Sequence, residues 1–361
     1  MAVKFSRGRF AALMTGVYLV AAFAVVGGLG WLGGRGQDWL TVVLRAAAEA
    51  DETVSTGTGT TGTVAPSTGS TEATSTATQS LPTETVPAAE EPFTFVWMSD
   101  TQLYSESFPD IFASMTTWIE EQKESRNIRY VLHTGDVVNN RLREGQWNNA
   151  LEAMNKLTVP YLVAAGNHDV GTPTGDYQYF SPRFGVKTPP QGGLWEEGKG
   201  QYDLLSIGGM DILLLFLGYG NGDAGIEWTN SILAQYPDHY AILGFHSYMH
   251  ETGVLTTIGK GLYEKIVVPN PNVRLVLCGH HHSAGKRETP LDDDGDGQPD
   301  RTVYQLLADY QAAGQGGGGF MRLLTFDTAA KMLQVRTYSP YLDKTSFYDD
   351  PAIDTFDLPL T

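Results

Sequence analysis

The feature that most constrains this chain is a recurrence. Five times an apolar run stops and a short polar cluster follows. FTFVWM (93–98) leads to Asp100-Thr101-Gln102, and RYVLH (129–133) leads to Gly135-Asp136. YLVAA (161–165) leads to Gly166-Asn167-His168-Asp169, and HYAILGF (239–245) leads to His246. VRLVLC (273–278) leads to Gly279-His280-His281-His282. Runs of this length, bounded by turn residues, read as buried strands. Sites gather beyond the carboxyl ends of strands in open sheets, so the five clusters are placed to converge.

Between these runs the apolar spacing becomes helical over 107–125, where Ile111, Met115, Trp118 and Ile119 share a face, and over 144–157. Further helices are expected near 224–235 and 254–267, and a hairpin around Gly208–Gly209. Residues 171–200 read as a long loop, and 302–337 as alternating strands. Strand–helix–strand units followed by a strand-rich tail predict an α+β fold, a two-sheet β-sandwich flanked by helices.

A carboxylate on a glycine turn, such as Asp136, suits the bridge between two cations about 3.5–4 Å apart. Glycine beside a ligand lets the backbone turn and approach an ion. The only cysteine is Cys278, which rules out an intramolecular disulfide and a cysteine-built zinc site. Oxygen and imidazole donors then favour Mn, Fe or Zn.

Taken in order, the clusters resemble the calcineurin-like metallophosphoesterase superfamily over about residues 93–285. Its pattern is D-x-H, G-D, G-N-H-[DE], a lone His, then G-H-x-H. The resemblance implies a four-layer αββα sandwich, with two divalent metal ions and a phosphate mono- or diester as substrate. It implies that Asp100, Gln102, Asp136 and His282 hold the first ion, and Asp136, Asn167, His246 and His280 the second. A hydroxide bridging the ions would attack phosphorus. His168 would protonate the departing oxygen, and Asp169 would orient His168. The chain departs from the pattern at Gln102, where the family has His. Its amide oxygen is a weaker ligand, and a hydrogen-bonded loop amide is the competing reading.

His281 reads as a non-ligand, and His133 as packed or supporting. Tyr104, Asn139 and Asn140 lie near the clusters and serve either substrate or local turns. Asp309-Tyr310-Gln311 with Gly316–Gly319 is a second region of interest, either approaching the pocket or forming a mobile hairpin loop. In Asp292–Asp300 the alternating acids resemble a calcium loop, with Asp292, Asp294, Asp296, Gln298 and Asp300 as ligands. The twelfth position is Val303 rather than Glu, and a solvated acidic turn is the alternative.

The amino terminus divides the chain further. Residues 1–9 form a basic cytoplasmic segment, and 10–34, free of charge, are long enough to span a bilayer. A single-pass anchor is favoured over a cleaved signal peptide, which would leave the body secreted. Residues 35–92 form a flexible Ser/Thr/Gly-rich linker, and 93–361 the catalytic domain, expected outside the cell membrane. The net charge is −17, and residues 1–35 carry four basic and no acidic residues. The acidic remainder argues against stable nucleic acid binding. The competing function is a non-catalytic, metal-binding cell-surface interaction module on the same fold.

Overall fold

The computed structural model describes residues 91–186 and 189–360. The segments 1–9 and 10–34, and the linker up to residue 90, lie outside these residues, together with the expectations placed on them. Among the described residues no helix is long and apolar enough to cross a membrane.

Besides single turns, the chain runs β1 (Phe93–Met98), α1 (Gln102–Ser107), α2 (Pro109–Gln122), β2 (Ile128–His133), α3 (Glu144–Met154), β3 (Tyr161–Val163) and α4 (Asn167–Val170). There follow β4 (Gly193–Trp195), β5 (Gly200–Ile207), β6 (Met210–Leu217), α5 (Gly222–Gln235), β7 (Tyr240–Phe245), α6 (Thr257–Leu262) and β8 (Val273–Cys278). The remaining strands are β9 (Ala284–Leu291), β10 (Arg301–Ala308), β11 (Met321–Asp327), β12 (Met332–Tyr338) and β13 (Thr355–Pro359). One sheet has the order β13-β12-β11-β1-β2-β3, the other β4-β5-β6-β7-β8-β10-β9. In the first, β1-β2-β3 are parallel at one end and the other strands antiparallel; the second has a parallel centre, β6-β7-β8-β10, with antiparallel flanks.

The strand periodicity explains the layers. In β1, Phe93, Phe95 and Trp97 pack between the sheets with Leu214, Phe216, Leu275 and Leu277. Val96 and Met98 point the other way, onto Phe112, Met115, Ile119 and Trp147 of α2 and α3. On the far side Leu213, Leu215, Leu243 and Phe245 meet Ile232 and Leu233 of α5. Strands buried on both faces carry near-continuous apolar runs, which is why these were conspicuous in the sequence. The arrangement is two mixed sheets flanked by helices, as expected.

Details differ. The helix expected over 107–125 runs Pro109–Gln122, and α1 before it was not anticipated; Phe108, at φ −134°, ψ 52° ahead of Pro109, separates the two. The helix expected near 254–267 is α6 continued by a wider turn over Tyr263–Val267. Strand β4 lies inside the stretch read as loop, and β9 and β13 were not anticipated. The Gly208–Gly209 hairpin is present, with φ of +60° and +69° at its two turn residues, the backbone a tight two-residue turn requires.

Candidate metal centre

The carboxyl ends of the parallel strands from both sheets meet at one rim. Asp100 follows β1, Asp136 follows β2, Asn167 opens α4 after β3, His246 follows β7, and His280 follows β8. Three of these residues sit at positive φ: Asp100 at +53°, Asp136 at +55° and His280 at +72°. Non-glycine residues rarely adopt this conformation, which costs on the order of 1–3 kcal/mol each. The glycines beside them are needed for space as well as for turning. A methyl group on Gly279 would overlap the carboxylate of Asp100, and one on Gly166 that of Asp136.

Four donor atoms converge around His246. Its Nδ1 lies 3.0 Å from the carbonyl of Thr134, which can only accept, so Nδ1 carries a proton. The opposite nitrogen, Nε2, faces Asn167 Oδ1 at 2.9 Å, His280 Nδ1 at 3.1 Å and Asp136 Oδ2 at 3.3 Å. Ligand atoms of Asp136, His246 and His280 all lie within 4.8 Å of one another. Lone pairs gathered this closely require a positive charge among them. A proton on Nε2 supplies it in the metal-free protein. Burial would lower the His246 pKa, but the Asp136 carboxylate outweighs it and pushes the group up to about 10. Asp136 is correspondingly held below the usual carboxylate range: burial opposes this, and His246 and His168 prevail. Burial, with the charge of His246, pushes His280 down to about 3.

The neighbouring position is built from Asp100 and Gln102. The Asp100 carboxylate accepts from Ser99 Oγ and from the amide of His280, at 3.0 and 3.2 Å. Burial pushes its pKa up to about 7, opposed by His246 and assisted by Asp136. Gln102 is buried, and its amide satisfies its neighbours in one orientation. Nε2 then donates to the carbonyls of Asp100 and Asp136, at 2.8 and 3.0 Å, and Oε1 meets the side-chain amide of Gln311, whose two terminal atoms lie 2.7 and 2.8 Å away. The terminal position facing Asp136 Oδ2 at 3.4 Å is therefore the carbonyl oxygen. Two oxygens turned toward each other suit a shared cation. His282 is close enough to Asp136 and His168 to feel their charges, and its pKa is lowered chiefly by burial.

His168 stands at the edge of the cluster. Its amide donates to Asp136 Oδ1 at 2.8 Å, and its ring Nδ1 donates to the carbonyl of Asn139 at 2.7 Å. The expected role of Asp169 is corrected. Its carboxylate accepts from the amides of Gly166, Val137 and Val138 at 2.8–3.0 Å, tying together the turns that carry Asn167 and Asp136. The ring of His168 is held by Asn139 instead. Adjacent residues on a helical turn do not face each other, which adjacency in sequence conceals.

His133 is internal to the fold: Nε2 meets Thr101 Oγ1 at 2.9 Å and Nδ1 accepts from the amide of Gly135. His281 stacks near His250, ring centroids 4.2 Å apart. Tyr104 is buried, and its hydroxyl accepts from the amide of Gly319. Among the acids of the β9–β10 connection, Asp292, Asp294 and Asp300 lie together and are exposed. Asp296 accepts from Gln298 N outside that group. The carboxylates of Asp292 and Asp300 already accept backbone amides of the turn. Asp309 and Gln311, at the end of β10, were noticed as a region but not as part of the cluster.

Four buried carboxylates, Asp100, Asp136, Asp169 and Asp309, share this rim. Among the described residues no Lys or Arg is hydrogen-bonded or ion-paired to any of them. Buried carboxylates need compensation, which protonated His246 alone supplies only in part, and oxygen and imidazole donors are those that borderline divalent cations take. The residues fit a pair of such ions. Beside His246, a cavity of about 420 Å³ opens at the ends of β6 and β7. Its walls include Leu217, Tyr219, Ile226, Phe245, Ile258 and Leu262.

The family model for calcineurin-like phosphoesterases matches residues 93–284. The chain belongs to that family. A Bacillus subtilis relative, the uncharacterized protein YvnB, is 46% identical over 273 residues. That match takes in 74% of this chain and 21% of the relative, so the chain spans about a fifth of its length. Among solved structures, the yellow lupin (Lupinus luteus) purple acid phosphatase PPD1 is similar at a TM-score of 0.52 and 14% identity. The similarity covers 75% of this chain and 54% of that one. A dimetal phosphatase from Danio rerio is similar at a TM-score of 0.51 and 10% identity, over 75% of this chain and all (100%) of that one. These two likenesses are likenesses of fold. The phosphoesterase family match itself is carried by the segment holding all five polar clusters.

Proposed function

We propose that this calcineurin-like phosphoesterase is an active, dinuclear metal-dependent hydrolase of phosphate mono- or diesters. The observation that carries the reading is the convergence on His246 Nε2 of donors from Asn167, Asp136 and His280, each from a different strand end. In this reading Asp136, Asn167, His246 and His280 hold one divalent ion, and Asp100, Gln102, Asp136 and His282 the other. Mn, Fe and Zn suit these donors. Bound there, the ions would acidify a water toward neutral pKa and withdraw charge from the phosphoryl oxygens.

The remaining chemistry belongs to the chain. The Thr134 carbonyl fixes the His246 tautomer so that Nε2 presents its lone pair. Asp169 fixes the turns that carry Asn167 and Asp136. His168, with Nδ1–H committed to Asn139, donates a proton from Nε2 only as the imidazolium. In that form it meets the charge of the phosphoryl group and then protonates the departing oxygen. The apolar cavity beside His246 receives the organic part of the ester. The acidic body disfavours stable nucleic acid partners, and the uncharged run 10–34 tethers the domain on the outer side of the membrane.

The test is hydrolysis of p-nitrophenyl phosphate and its bis ester with added Mn²⁺. Turnover that EDTA abolishes is expected. A protein that holds its ions and turns over neither ester is the binding module instead. His168→Ala is expected to lose about 10²–10⁴ in kcat, the range for a positioned acid, with metal content unchanged. Equal kcat would remove His168 from the chemistry.

A further inference from the structure

The family pattern stops short of residues that complete this rim. Strand β10 runs parallel to β8 and ends beside the same cluster. Its last turn carries Asp309 and Gln311, beyond the segment matched by the family model. The Asp309 amide donates to the carbonyl of Ser283, next to His282, at 2.8 Å. Its Oδ1 accepts from the Gln311 amide at 3.0 Å. Its Oδ2 is buried and has no hydrogen-bond partner. The Gln311 side chain is buried as well, and its terminal atoms lie 2.7 and 2.8 Å from the Gln102 amide.

These contacts meet at the position where the chain departs from its family. An imidazole presents a nitrogen of fixed geometry to a metal. The amide of Gln102 has two chemically different ends, and only its oxygen is a ligand. Something has to choose the end. Two backbone carbonyls attract Nε2, and a donor at Gln311 holds Oε1 on the other side.

We propose that the carboxyl end of β10 is part of the metal centre of this chain: Gln311 is a positioning residue that holds Gln102 Oε1 toward the first ion, and Asp309 adds a buried carboxylate beside it. Donation runs from Gln311 Nε2 to Gln102 Oε1. The bond places no proton on the ligand's remaining lone pair, so the oxygen can serve both partners. The unpartnered Oδ2 of Asp309 has the character of a group built to face a cation, since a carboxylate oxygen buried alone is costly. The inference rests on the two-ion reading and adds to it the device that makes Gln102 a usable ligand.

The experiment titrates metal-free full-length protein with Mn²⁺ by calorimetry and counts bound ions by elemental analysis. The wild type is expected to take up two ions. Gln311→Leu keeps the bulk of the side chain and removes the donor. It is expected to bind one ion as before and the other at least about tenfold more weakly, the scale for groups that orient a ligand. Asp309→Asn, nearly isosteric, is expected to weaken the same ion. In a Gln102→His background an imidazole no longer needs its end chosen, and Gln311→Leu should then change affinity less than about twofold. Two ions bound by Gln311→Leu with wild-type affinity would overturn the inference, and so would an equal loss in both backgrounds. A wild type that takes up fewer than two ions would remove the two-ion reading itself.

Discussion

At the scale of single residues, the centre is held in place against its own preferences. Asp100 and Asp136 combine positive φ with complete burial, a conformation and a location that each disfavour them. Asp136→Asn keeps the shape and removes the charge. Mn²⁺ affinity should fall at least about a hundredfold, and the urea midpoint of the metal-free variant should fall as well, because the carboxylate there offsets protonated His246. Unchanged Mn²⁺ affinity would remove Asp136 from the ligands. The protons on this rim give a second expectation. His246 is pushed up to about 10 and Asp100 to about 7 without metal. Both must be deprotonated to act as ligands, so metal competes with protons. Between pH 7 and pH 10 the proton on His246 must be displaced, and affinity should rise at least about tenfold per unit. Below pH 7 Asp100 adds another, and the slope should steepen toward acid. Calorimetry in buffers of differing ionisation enthalpy counts these protons directly. A pH-independent affinity would contradict the assignment of both groups.

At the scale of elements, what the sequence disclosed follows from where each strand lies. The central parallel strands, buried on both faces, wrote continuous apolar runs and were readable. The overlooked strands, β4, β9 and β13, all lie at sheet edges. In β9 every second residue is more exposed than its neighbours, and Lys286, Arg287 and Glu288 interrupt any apolar pattern, as expected of an edge guarded by charge. The candidate site was legible because the residues that gather there follow the readable strands. Gln311 was not, because a glutamine acting through another glutamine has no motif. The connection from β9 to β10 illustrates a further role for charge. Arg301 is buried, donating to the carbonyls of Val267, Val268 and Val273 and to both oxygens of Asp293. Arg301→Ala leaves those acceptors unpaired and should destabilise by about 3–5 kcal/mol, read as a fall in the urea midpoint. Mn²⁺ stoichiometry should be unaffected, since this anchor lies at the opposite end of β10 from Asp309. An unchanged midpoint would mean that water replaces the guanidinium without cost.

For the whole molecule, the proposed two-ion reading makes metal a component of stability, since four carboxylates share one rim. An ion that binds only the folded chain adds about 2.7 kcal/mol at a hundred times its Kd, or a rise in Tm on the order of 5 °C for a domain of this size. Removing metal with EDTA and restoring it with Mn²⁺ should move the midpoint down and up reversibly in differential scanning fluorimetry. A Tm indifferent to metal would argue that the buried charge is balanced another way.

The amide of His280 reaches the carboxylate of Asp100 across 180 residues of sequence. Contacts so distant along the chain are closed late, after local structure has formed. The amino-terminal half, emerging first during synthesis, carries Asp100, Asp136 and Asn167 but neither His246 nor His280. In the proposed reading, metal loading therefore waits for β8, and a chain truncated before it lacks His280 and has no complete centre to fill.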